Sequence, residues 1–204
     1  MCVLQCALGI ATVGHAEIID RVLAVVGGVV ITQSDVTAAS GLGLVAAGQG
    51  ADATGAVLSR LIDRQLILTE VDRYAPPEPA VQAIDREAAL VRARFSSDAD
   101  YQAALARTGI DEKHLRQTVR DELRIRAYLE QRFAVPPPND EELARYYREH
   151  LAVFTRGAEV APLAEARSEV VRRLSADRRA SLIEDWVSGL RRRAVITNLY
   201  LPRQ

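Results

Sequence analysis

The spacing of apolar residues changes period twice along this chain. Residues 18–32, "IIDRVLAVVGGVVIT", alternate and are rich in β-branched side chains, which suits pleated strands. Gly27-Gly28 interrupts the run. A two-residue Gly-Gly link favours a tight hairpin turn, because such turns need positive φ. Two strands alone are marginal in water and need a third strand or a covering helix. The other strand-like run, "AVITNLYL" at 194–201, lies near the opposite end. It is predicted to pair with the hairpin and so to close a discontinuous domain.

Between these runs the period is helical. Thr32 and Asp35 resemble a capping box with Asp in the place of Glu, so a helix should start there. It should fade through the Gly- and Ala-rich stretch 38–56, which is weakly helical and expected to be mobile. Residues 56–75 form an amphipathic pattern with Leu58, Leu61, Ile62, Leu66 and Leu68 on a broad apolar face. "PPEP" at 76–79 ends this helix, and 80–95 reads as the next. A short helix should follow, capped by Ser97 or Asp98 and stopped by Gly109. Asp111 should cap a long helix over 112–133. Its apolar residues Leu115, Val119, Leu123, Ile125, Leu129 and Phe133 fall in a stripe about 160° wide, with Tyr128 outside it. "VPPP" at 135–138 is a stiff, extended break. Asn139 or Asp140 should cap a helix over 141–154, followed by a short connector. The longest helix should span 162–193. Its stripe runs through Leu163, Val170 and Leu174, then through Leu182, Trp186 and Leu190, with Ile183 and Val187 beside it. The two halves differ in direction by roughly 100–150° on an ideal helix. The preferred explanation is a change of packing partner along the helix rather than a kink near Ser175–Arg179. Trp186 is assigned to the core.

Composition narrows the classes. The chain has 204 residues, 49% hydrophobic and 26% charged, with a net charge of −1. This is an ordinary globular balance, without the basic excess expected of a nucleic-acid binder. Arg191, Arg192 and Arg193 stand where a helix ends, where cations are favourable. The first sixteen residues, "MCVLQCALGIATVGHA", are apolar, and Gly14 and Ala16 fit a signal-peptidase site. Residues 1–16 are therefore expected to be a signal peptide, although a basic start is missing. The run is shorter than the about 20 apolar residues of a membrane span, so no stable span is predicted. Cleavage after Ala16 would remove Cys2 and Cys6, the only cysteines. The histidines that remain, His114 and His150, form no metal-binding spacing. No phosphate loop or nucleophile elbow is present, so neither a cofactor nor a metal is expected.

The order of these elements carries a resemblance. "DRVLAVVGGVVITQSDV", then "LIDRQLILTEVDRY", then "AIDREAALVRARFSSDADYQAALARTGIDEKHLRQTVRDELRIRAYLEQRF" looks like the N-terminal chaperone domain of the SurA family of periplasmic folding factors, related to the PrsA and PpiD foldases. "DEELARYYREHLAVF" resembles the helix that precedes the family's parvulin domain. "EARSEVVRRLSADRRASLIEDWVSGLRRRAVI" resembles the helix and strand that follow it. The chain departs from the family where a parvulin domain would lie, between Phe154 and Leu163, since only "TRGAEVAP" stands there. The resemblance thus implies a mainly α chaperone module without prolyl isomerase activity. Its small N-terminal hairpin is completed by a C-terminal strand. The expected divisions are a signal peptide at 1–16, a hairpin-and-helix module at 17–134, a Pro-rich break, helix and connector at 135–162, and a returning helix and strand at 163–204.

The function implied is a periplasmic holdase for unfolded exported polypeptides, with outer-membrane protein precursors as the expected clients. Adaptable apolar contact, not a catalytic constellation, would do this work. The candidate client contacts are Phe95 and Tyr101, which flank a turn, Tyr128, off its helix's stripe, and the adjacent pair Tyr146 and Tyr147. The competing expectation for each is core or interface packing. The alternative function is an assembly protein that docks on one envelope partner or forms a homodimer by exchanging terminal strands. Catalysis is disfavoured. Asp140, Glu141 and Glu142 read as acids complementing a helix dipole, and no nucleophile–base pair is visible.

Overall fold

A computed structural model describes residues 20–46, 52–156 and 159–202. The expected signal peptide, the first residues of the hairpin and part of the 38–56 segment lie outside the described residues. Strands β1 (Val22–Val26) and β2 (Val29–Thr32) form the hairpin. Gly27 and Gly28 turn it with φ of 56° and 89°, a left-handed region that glycine enters without strain. The register pairs Val26 with Val29, Val25 with Val30 and Ala24 with Ile31, then shifts before Val22.

Helix α1 (Gln33–Gly41) follows directly. Thr32 Oγ1 accepts from the Asp35 N–H at 3.3 Å, and the Asp35 carboxylate accepts from the Thr32 N–H at 2.8 Å. The capping box therefore forms with Asp as its acidic partner. Helices α2 (Ala53–Tyr74), α3 (Val81–Arg92), α4 (Asp98–Thr108) and α5 (Glu112–Arg132) come next. Ser97, Asp111 and Asn139 cap α4, α5 and α6 (Asp140–Glu149) through their side chains. Gly109 ends α4 in the left-handed conformation.

The predicted helix over 141–154 is shorter than expected. It stops at Glu149 and tightens into a 3-10 turn over Leu151–Phe154. The connector then forms a small hairpin, β3 (Thr155–Arg156) with β4 (Glu159–Val160). The tightening turns Phe154 inward against Leu143 and Val170. Main-chain bonding from Ala161 N–H to Phe154 O, 2.9 Å, then brings the chain back to the next helix.

Helix α7 (Leu163–Arg193) is continuous over 31 residues. Its first half packs with α6 and the 3-10 turn around Leu143, Phe154, Ala166 and Val170. Its second half reaches back, with Trp186 and Leu190 meeting Leu23, Val26 and Leu58 of the hairpin and α2. The two stripes read from the sequence thus serve two partners along one helix. Leu182 is a correction, because it is exposed between the two contacts. Beyond α7, β5 (Ile196–Asn198) pairs antiparallel with β1, giving the strand order β2-β1-β5. The molecule is mainly helical, with a three-stranded antiparallel sheet joining the two ends of the described chain. Among the described residues, no helix is long and apolar enough to cross a membrane.

Candidate functional site

The five aromatic residues singled out in the sequence do not converge. Tyr101 is 1% exposed and packs with Leu42, Val91 and Leu115 in the core shared by α3, α4 and α5. Half-buried Phe95 covers it, with the ring centroids 5.7 Å apart. Tyr128 is 6% exposed. It lies against Tyr74 at 5.6 Å and Trp186 at 6.1 Å. Burial holds the hydroxyls of Tyr101 and Tyr128 above the usual tyrosine range. Both are corrections to the expectation of exposed client contacts. Tyr128 does stand off the α5 stripe, but that side of the helix is covered as well. Helix α5 in fact packs on α2 and α3 and also meets the end of α7, so more than one of its faces is covered.

Tyr146 and Tyr147 are half-buried in the core formed with α7. Tyr146 donates to Asp177 at 2.6 Å and stacks on His150 at 4.0 Å. Tyr147 packs on Phe154 at 5.3 Å and donates to Ala161 O at 2.7 Å. These bonds make the pair a brace between α6, the connector and α7.

A different feature is open. A groove of about 520 Å³ runs between α1 and α2 on one side and α3 and α5 on the other, within the size range of ligand clefts. Leu61 and Leu68, half-buried on α2, and Leu123 of α5 contribute its apolar lining. Leu61 and Leu68 are seven residues apart and so share one edge of their helix. The apolar face of α2 is broader than its core contact, and this edge is left to the groove. The charged groups around it are largely paired, one pair across the groove from α2 to α5 and one along its α3–α5 wall. Arg64 meets Glu122 at 3.5 Å and Arg126 meets Glu87 at 3.3 Å. Arg94 donates to Leu42 O at 3.1 Å. At one end stand Val29 and Val30 of β2, 45% and 48% exposed.

A second surface feature is the guanidinium of Arg132. It lies between 5.4 and 5.9 Å from the rings of Tyr74, Tyr128, Phe133 and Trp186, within cation–π range. Among the described residues, no group of three or more His, Cys, Asp or Glu side chains is placed to share a metal ion. No protein-family model matches this chain, and no curated protein matches it.

Sequence reasoning missed the groove. Its signal is the width of the α2 apolar face, which is broader than one core contact covers.

Proposed function

We propose that this chain is a non-enzymatic holdase that binds unfolded exported polypeptides in the periplasm, with outer-membrane protein precursors among its clients. The observation that carries this reading is the open groove, apolar along Leu61, Leu68 and Leu123 and continuous with exposed Val29 and Val30. Paired charges around an apolar lining suit weak contact with many uncharged segments better than selection of one charged ligand. The order of hairpin, helices and returning strand supports it further, through its likeness to the SurA chaperone domain.

The test is light scattering during dilution of an unfolded outer-membrane protein, with and without the purified full-length chain. Suppression at near-stoichiometric ratios, repeated with an unrelated unfolded client, is the expected result. No effect on either client would overturn the reading. The second reading is a dedicated assembly partner, or a homodimer that exchanges terminal strands. Exposed Val195, Leu199 and Leu201 around β5 favour it, and one stable stoichiometric complex would mark it.

A further inference from the structure

The hydrogen-bond parity of the sheet fixes which groups of β2 face outward. On the β5 side, the Gly27 N–H donates to Val195 O at 3.1 Å and the Leu199 N–H to Leu23 O at 2.9 Å. In an antiparallel ladder the bonding side alternates residue by residue. Leu23, Val25 and Gly27 of the hairpin therefore bond towards β5, while Ala24 and Val26 bond towards β2. Their β2 partners are Ile31 and Val29. It follows that the main-chain N–H and C=O of Val30 point away from β1, along the free edge of the sheet. Among the described residues no strand pairs with that edge.

Edge strands are commonly guarded by lysine, proline or a bulge. The β2 sequence Val-Val-Ile-Thr has neither lysine nor proline, and its register runs unshifted from Val29 to Ile31. This unguarded edge stands at the end of the groove, where Val29 and Val30 both line it.

We propose that β2 and the adjoining groove take up an extended, uncharged segment of an unfolded polypeptide as an added strand. The segment bonds to the N–H and C=O of Val30 and sets alternate apolar side chains into the groove. This rests on the holdase reading and gives it a binding mode. The outward amide pair requires an extended backbone in its partner. The Arg64–Glu122 and Arg126–Glu87 pairs leave little unbalanced charge on the flanks to recruit a charged one. The lining along Leu61, Leu68 and Leu123 rewards apolar side chains.

The test uses fluorescence polarisation with a short fluorescein-labelled peptide of alternating Val and Thr and the full-length chain. A second peptide has the same side chains but carries N-methyl groups on the amides of one edge, and a third carries them on the other edge. Strand addition predicts that methylating one edge weakens binding by about tenfold while methylating the other changes it little. Val30→Pro removes the outward N–H without breaking a bond to β1, trading the Val30 side chain for a similarly apolar ring, and should weaken the unmodified peptide by a similar factor, with circular dichroism unchanged. Equal binding of all three peptides, or no binding of the unmodified one, overturns the proposal even if the variant fails to fold. A chain dimer that excludes the peptide in sedimentation and is dispersed by Val30→Pro would overturn it in favour of a second copy as occupant. Edge-dependent peptide binding without suppression of aggregation would leave strand addition standing and remove the holdase reading. Suppression of aggregation without edge dependence would do the reverse.

Discussion

The hydroxyl of Tyr128 is buried with no hydrogen bond of good geometry, only the Arg132 guanidinium approaching it, while its ring packs against Tyr74 and Trp186. The ring and the oxygen therefore act in opposite directions. Burying an aromatic ring is strongly favourable, whereas burying an unpaired hydroxyl costs about 1–3 kcal/mol. Tyr128→Phe should leave the melting temperature unchanged or raise it. Tyr128→Ala should destabilise by about 3 kcal/mol or more through the cavity it leaves. Thermal denaturation of the two variants checks this, and a large loss in Tyr128→Phe would show that the hydroxyl makes a bond that matters. The same residue shows what was hidden from the sequence. Its helical angle was read correctly, but the approach of α7 from a part of the chain some sixty residues away decided that this angle is covered.

At the scale of elements, α6 is held to α7 by groups that a helical wheel does not connect. Glu142 caps its own helix through Asn139 N–H at 2.9 Å and pairs with Arg178 of α7 at 2.5 Å. The hydrogen bond from Arg178, assisted by that from Asn139, holds the Glu142 carboxyl below its ordinary value of 4.5. A carboxyl with a lowered folded value contributes stability that is present above its unfolded value. That contribution is lost as pH falls through the folded value. Wild-type protein should therefore lose part of its α6–α7 docking below about pH 4.5. Glu142→Gln should melt lower than wild type at neutral pH, with the difference closing as pH falls below the ordinary carboxylate range. Paired melting curves across this range test the sign, and a gap that widens in acid would refute it. The caps themselves were legible in the sequence, because Thr32, Ser97, Asp111 and Asn139 each act on the amide three residues on. The 3-10 turn and the β3–β4 hairpin were not, since they depend on Phe154 and Tyr147 finding partners in and beside α7.

The whole molecule is closed by its last strand. β1 is central, with β2 on one side and β5 on the other. The second half of α7 is fixed beneath by Trp186 and Leu190, and Arg191 bonds to Asp63 and to Ser59 O of α2. Removal of residues 194–204 takes away β5 and leaves a two-stranded hairpin, which is marginal without a third partner. The truncated chain should show faster hydrogen exchange at Gly27, whose N–H donates to Val195 O, and at Val25, whose amide faces β5, and an earlier unfolding transition. Exchange followed by mass spectrometry reads this directly. Unchanged protection there would mean that α2 and α7 alone hold the sheet.

Local chemistry determined the elements of this protein from the sequence alone. Positive φ at Gly27-Gly28 makes the hairpin, short polar side chains start α1, α4, α5 and α6, and the apolar period locates α2, α5 and α7. The pairing of the C-terminal run with the hairpin was also legible, because an isolated two-stranded sheet needs another partner and this was the other strand-like run, although the strand itself is limited to Ile196–Asn198 of the expected 194–201. Tertiary structure alone decided which apolar faces are covered and which are left open. Tyr101 and Tyr128 became core because helices distant in sequence close over them. Leu61 and Leu68 stayed partly accessible because the cores they pack against cover only one side of them, and the Val30 edge because no described strand pairs with it. Periodicity states that a face is apolar; only the arrangement of its neighbours states whether that face meets protein or solvent.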